Sequence, residues 1–245
     1  MRRASLCALL LLSAAYAGAQ NTGVQLLEKF TTALNSAKTL TVSYSVQLIG
    51  GAATNYQLEM AKPNMAKLDS PTELIVADGS NIVTYDKTKK TYFKKPQTDQ
   101  ELKKLVTRNE LYIWAGFFDS KIGAKYSCIH AAGTKTRKGV VYNVVQFTMP
   151  ARGPTNATYY LSQADSLARQ AEFKVESETT IVEAKTVSLG DKPEPARYAF
   201  APPEGSRELT AAEMNAGKWY TDLNEALQAA KASGKMVFAF FDADW

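Results

Sequence analysis

Cysteine, histidine and long apolar runs are all scarce in this 245-residue chain, and each shortage closes off a class of function. The cysteines are Cys7 and Cys128, and the single histidine is His130. Cys7 falls in an export leader, so the mature chain keeps Cys128 alone and an intramolecular disulfide is excluded. A lone thiol of this kind is expected to be buried as a small hydrophobe. On a regular strand Cys128 and His130 would share one face, but no third partner stands beside them to complete a metal or thiolate site. Ser-His-Asp catalysis would have to use His130, and the Gly-x-Ser-x-Gly elbow does not occur. The carboxylates Asp69, Glu73, Asp78 and Asp86 fall near turns, where solvation accounts for them. We therefore expect no catalytic residue, no metal and no cofactor.

The leader is read from Arg2 and Arg3, the apolar run Leu6 to Leu12, and the small residues Ala17-Gly18-Ala19, with cleavage near Ala19. No later run approaches the ~20 residues that span a bilayer, so we expect an exported, periplasmic or secreted protein without a transmembrane segment. Setting aside Arg2 and Arg3 leaves 27 basic residues against 24 acidic ones. The lysines are scattered through turns, as in the stretch Lys87, Lys89, Lys90, Lys94, Lys95, where they discourage edge-to-edge sheet association. No dense basic stripe suggests a nucleic acid.

What is present is a helix followed by many short strands. Thr22 with Gln25 forms a capping-box pattern ahead of Leu27, Phe30 and Leu34 at helical spacing. The period then changes to two: Leu40, Val42, Tyr44, Val46 and Leu48 alternate with polar residues, and Tyr56, Leu58 and Met60 follow the Gly50-Gly51 turn. Strands are expected at Glu73 to Ala77, Ile82 to Tyr85 and Thr91 to Lys94. Thr98 and Glu101 then start a second helix, which runs into the apolar cluster Leu111, Tyr112, Ile113, Trp114, Phe117 and Phe118. Strands resume at Tyr126 to Ala131, Val140 to Met149, Ala157 to Leu161, Ala168 to Val175 and Thr179 to Leu189. Such close succession predicts antiparallel pairing, hence a β-rich α+β fold.

The prolines at 193, 195, 202 and 203 with Gly205 mark the domain's last loop and a linker over Asp191 to Ser206. Beyond it, Asp222 and Glu225 cap a helix that Gly234 ends, and Met236 to Phe241 reads as a buried strand. The expected layout is a leader at 1–19, a β domain at 20–209 and an incomplete unit at 210–245.

Three segments resemble the bacterial periplasmic lipoprotein-carrier and lipoprotein-sorting superfamily: Lys62-Pro63-Asn64, Ala77 to Asp86, and Phe200 to Gly205, in order and spacing over residues 22–209. The resemblance implies a strongly curved, unclosed antiparallel sheet, a half-barrel with helices on its concave side. The cavity between them would take lipid acyl chains or a lipidated protein, with an envelope protein as a further partner. Alternation alone does not separate such a cavity from an ordinary core. Leu40, Val42, Tyr44, Val46, Leu48, Tyr56, Leu58 and Met60 would line it, and Trp114, Phe117 and Phe118 would plug it. Carrier members have arginine where this chain has Lys62, the gate position. Lysine lacks the planar donor fork, so a looser lid is implied.

Residues 218–245 are similar instead to the opening of a periplasmic thioredoxin-like domain, with Trp245 standing where the Cys-x-x-Cys would follow. The expected function is a lipid or lipidated-protein carrier without catalysis. The alternative is the N-terminal part of a thiol-disulfide oxidoreductase.

Overall fold

A computed structural model describes residues 22–149, 155–214, 222–234 and 236–237. The leader, and most of the strand expected over Met236 to Phe241, lie outside the described residues. Helix α1 covers residues 22–36 and buries Leu27, Phe30 and Leu34, the stripe its spacing predicts. Its start presses on another strand: a Cβ at Gly23 would stand 2.6 Å from the carbonyl carbon of His130, so only glycine allows this approach.

Six strands follow as a meander: β1 Thr39–Leu48, β2 Thr54–Ala61, β3 Met65–Asp69, β4 Glu73–Ala77, β5 Asn81–Asp86 and β6 Thr91–Pro96. Helix α2, Asp99–Val106, begins where the sequence places it: the Thr98 side chain accepts from the Glu101 N–H at 3.2 Å. Its Leu102, Leu105 and Val106 are buried. The apolar cluster forms a 3₁₀ segment, Asn109–Phe117, and a shorter 3₁₀ turn spans Ile122–Lys125. Five longer strands complete the body: β7 Ser127–Arg137, β8 Val140–Met149, β9 Thr155–Ser162, β10 Ala168–Val175 and β11 Glu178–Gly190.

All belong to one 12-stranded sheet in the order β12-β6-β5-β4-β3-β2-β1-β11-β10-β9-β8-β7, where β12 is the two-residue strand Arg207–Glu208. The sheet is curved and unclosed, with β12 and β7 as its edges. Every pairing is antiparallel except β12 with β6, which is parallel. Helices α1 and α2 and the 3₁₀ segment pack on one face with Leu40, Leu58, Leu68, Ile75, Phe147, Tyr159 and Phe173.

One expectation is narrowed here and another corrected. The proline-rich stretch after β11, expected as the domain's last loop and a linker, packs back on the sheet. Tyr198, in the 3₁₀ turn Pro195–Tyr198, is buried with Ala61, Met65 and Val76, and Phe200 packs beside them. Arg197 adds an ion pair to Glu59 at 2.8 Å. Proline sets backbone direction without deciding whether the apolar residues between prolines are covered, and here Tyr198 and Phe200 decide it.

Cys128 is exposed, not buried. It adopts φ 53° beside a register shift between Ser127 and His130 on the edge strand, which turns its side chain out of the ladder. The same irregularity breaks the alternation that would align it with His130. The imidazole instead lies 3.0 Å from Gln146 Oε1 and 3.2 Å from the Cys128 carbonyl oxygen.

At the C-terminal end, α3 (Ala211–Met214) and α4 (Leu223–Ser233) are separate short helices. Asp222 accepts from the Glu225 N–H at 2.9 Å, and Gly234 ends α4 in the left-handed conformation, as the sequence predicts.

Candidate functional site

The residues expected to line a cavity sit along β1 and β2 in direct register: Leu40 opposite Met60, Val42 opposite Leu58, and Tyr44 opposite Tyr56. Leu40, Val42, Tyr44, Leu58 and Met60 are buried, Val46 and Tyr56 are half-buried, and Leu48 is 45 % exposed at the strand's outer end. The alternation thus marks a dry face that grades into solvent toward the β1–β2 turn. Tyr44 stacks on Tyr56 with ring centroids 5.1 Å apart and meets Trp114 at 4.8 Å.

The expected plug fills this face. Trp114 and Phe117 are fully buried, and Phe118 is half-buried with its ring edge-on to Phe117 at 4.9 Å. The 3₁₀ segment carrying them lies against α1: a Cβ at Gly116 would meet Thr31 Cγ2 at 3.3 Å and Leu34 Cδ1 at 3.6 Å. Beneath its start, the gap bounded by Leu58, Met60, Ala66, Leu68, Leu105, Val106 and Leu111 has no room for a water molecule. That part of the helix-covered face is a closed core.

Open space lies to either side of residues 115–121. One cleft, about 490 Å³, runs between α2 and this segment and touches Pro63, Leu102, Val106, Ala115 and Phe118. The other, about 640 Å³, runs between α1 and residues 120–126, with Leu27, Thr31, Tyr126 and Ile129 among its walls. Each falls within the range of ligand pockets, roughly 300–1,000 Å³. Behind the larger cleft stands an aromatic stack: Tyr126 lies on Phe147 at 4.5 Å, and Phe147 meets Tyr159 edge-on at 4.8 Å. Burial pushes the Tyr126, Tyr159 and Tyr112 hydroxyls up from their ordinary pKa, so all three remain neutral at physiological pH.

Lys62 connects these parts. Its ammonium donates to the Asn35 carbonyl in the last turn of α1, where the helix dipole favours a cation, and it stands 5.2 Å over the Phe117 ring. Burial lowers its pKa. Lys62 therefore contacts the α1 C-terminus and Phe117 at once, through one charged hydrogen bond and one ring. Sequence reading singled out the position but missed the partner, because Asn35 carries no signal of its own and the contact uses its backbone.

The three segments that carry the family resemblance converge on one another. Asn64 Nδ2 donates to the Gly79 carbonyl at 3.3 Å, Gln97 Nε2 donates to the Asn64 carbonyl at 2.7 Å, and the Gly79 N–H donates to Gln97 Oε1 at 3.1 Å. Phe200 packs on Tyr85 and Tyr92 at 6.1 and 5.2 Å. Gln97 is the link that the sequence reading omitted.

The carboxylates near turns are engaged as turn acceptors or ion pairs. Asp78 and Asp86 accept backbone N–H groups of their own turns, Asp69 pairs with Lys87, and Glu73 pairs with Arg108 at 3.3 Å. Among the described residues no group of three or more potential ligands gathers for a metal. No helix among them is long and apolar enough to cross a membrane.

Comparison of the sequence with protein-family models and with curated proteins finds no match. Several solved structures are similar in chain path. Lipoprotein LppX of Mycobacterium tuberculosis is 14 % identical, with 69 % of this chain and 98 % of that chain covered and a TM-score of 0.45. LprF of Mycobacterium bovis is 9 % identical, with 71 % and 97 % covered and a TM-score of 0.47. A LolA superfamily protein from Nitrosomonas europaea is 11 % identical, with 72 % and 96 % covered and a TM-score of 0.34. The thioredoxin-like resemblance of the tail is not supported by these matches.

Proposed function

We propose that this chain is an exported carrier or binding module for lipid acyl chains or lipidated protein, acting without chemistry of its own. The observation that carries the reading is the way the concave face is covered. Its lid is made of α1, α2 and a 3₁₀ segment, none of which belongs to the sheet, with clefts of about 490 and 640 Å³ beside that segment. The resemblance of residues 62–64, 77–86 and 200–205 to lipoprotein carriers supports the same function.

In this reading Trp114, Phe117 and Phe118 occupy the ligand's place and move aside with their segment. Leu40, Val42, Tyr44, Leu58 and Met60 become the walls, with Val46, Tyr56 and Leu48 at the mouth. Each acyl methylene buried contributes about 0.8 kcal/mol, which offsets the apolar contacts that the plug gives up. Lys62 sets the ease of opening through its bond to the Asn35 carbonyl.

Organic extraction of the purified protein followed by mass spectrometry is expected to release a lipid, and the stripped protein is expected to bind a fluorescent fatty acid. Lys62→Met removes the bond that ties α1 to the sheet and should speed uptake of the probe severalfold. A protein that yields no lipid and leaves the probe unbound would sink the reading.

A further inference from the structure

Trp114 carries a group that the plug role does not use. Its side chain is fully buried, and its indole N–H, a donor that cannot accept, meets no hydrogen-bond partner among the described residues. A dry core position is filled equally well by phenylalanine or leucine, neither of which strands a donor. Its segment reaches open space at the next residue. The neighbouring Ala115 lines the 490 Å³ cleft together with Phe118, so the chain that holds Trp114 borders the place where a ligand would enter.

We infer that the ligand is an acyl ester whose ester carbonyl accepts from Trp114 Nε1. The inference rests on the lipid-carrier reading and names the chemistry of its ligand. An ester oxygen is an acceptor with no donor of its own, and it is neutral. It complements a donor-only group among apolar walls and adds no unpaired proton or charge. A free fatty acid would bring a carboxylate into this interior, and an alcohol would add a donor that itself needs a partner. A pure hydrocarbon chain would fill the same space but leave the indole N–H unpaired, and an ether-linked chain lacks the carbonyl and offers only a weaker acceptor. Membrane glycerolipids and diacylglyceryl-modified proteins both carry such esters.

The full chain, stripped of lipid, is titrated with a diacyl phosphatidylcholine, its dialkyl-ether counterpart of equal chain length, and a diacylglyceryl lipopeptide, each read by displacement of a fluorescent fatty acid. The ester phospholipid should bind roughly 3- to 10-fold tighter than the ether, the range expected of one net hydrogen bond. The tighter of the two ester ligands identifies the source. In Trp114→Phe the ester-to-ether ratio should fall to about one, whatever the absolute affinities. Should that variant fail to fold, the wild-type indole Nε1–H proton resonance serves instead, moving downfield with the ester and not with the ether. Equal binding of ester and ether by the wild type, a preference that survives Trp114→Phe, or an indole resonance indifferent to the linkage would each overturn the inference. If no lipid binds at all, the carrier reading fails first.

Discussion

The two halves of the helix-covered face are packed with different chemistry. Under β2 to β5 the residues are aliphatic, Leu58, Met60, Ala66, Leu68, Ile75 and Ile82, met by Leu102, Leu105 and Val106 of α2. Under β8 to β10 three rings, Phe147, Tyr159 and Phe173, stand among smaller aliphatic residues, met by Phe30 of α1 and flanked by Tyr126. The gap between α2 and strands β2 and β3 holds no water, whereas the aromatic half borders the 640 Å³ cleft. Branched aliphatic chains interdigitate to the density of a crystal, while flat rings meet edge to face and their corners leave openings. Strands β3 to β5 thus back a closed core, while the aromatic half stands beside open space.

The sharpest way to break that contrast is to truncate one residue on each side. Leu68→Ala should cost about 2–5 kcal/mol and Phe147→Ala about 3–5 kcal/mol in denaturant unfolding, since both are buried and leave cavities. Ligand binding should separate them. Phe147→Ala removes the ring under Tyr126 and should weaken fluorescent fatty-acid binding, whereas Leu68→Ala at matched folded fraction should move it less. Equal loss of binding in both would dissolve the distinction between core and site.

The two glycines that bring covering elements close should differ in the same direction. A Cβ at Gly23 would strike the backbone of His130 at 2.6 Å, and backbone cannot rotate away, so Gly23→Ala must lift the start of α1 from β7. We expect a loss of about 1–3 kcal/mol and a widened cleft that takes up probe faster. Gly116→Ala meets side-chain methyls, the nearest that of Thr31 at 3.3 Å, and should cost less than Gly23→Ala. Stopped-flow uptake and thermal melts of the pair would check the order. A third position, Tyr126, lines the cleft while half-exposed. Tyr126→Ala should cost under about 2 kcal/mol of stability, because its ring is only partly removed from water, yet reduce probe affinity severalfold.

Much of this architecture is legible in the sequence because it is written in local period and local caps. The Ala168–Val175 strand, the Thr98 cap and the Gly234 stop appear where the pattern puts them. Strand β3 escaped notice: it has five residues, carries the half-buried Lys67 in its middle, and follows directly on Pro63-Asn64. The two-residue β12 has no period to read. At the site, alternation identifies Leu40, Val42 and Tyr44 as facing a dry interior. It does not say whether the opposite wall is a ligand or the chain's own Trp114. The tie from Lys62 to the Asn35 carbonyl is illegible for another reason, since it joins a side chain to a backbone group 27 residues away. Cys128 shows the limit of burial by residue type, because one bulge on an edge strand reverses it.

The smallest expected effect concerns the aliphatic half's cover, α2, which is attached by charge as well as by its buried stripe. Glu101 on its first turn pairs with Lys95 of β6 and with Lys104 at 2.9 Å, and their hydrogen bonds hold its carboxyl down to about 2. A carboxyl depressed in the folded state adds stability that is present above its unfolded pKa and is lost as pH falls toward the folded value. Stability should therefore drop between about pH 4.5 and 2, and Glu101→Gln should flatten that part of the profile. Because the pair is largely exposed, the change should be small and should shrink further in high salt. No ion pair recorded among the described residues ties α1 to the sheet, so acid should loosen α2 before α1. Hydrogen exchange at pH 3 should then show the amides of residues 102–107 losing protection ahead of those of 27–34. The reverse order would mean that the aromatic half, not the aliphatic one, depends on charge.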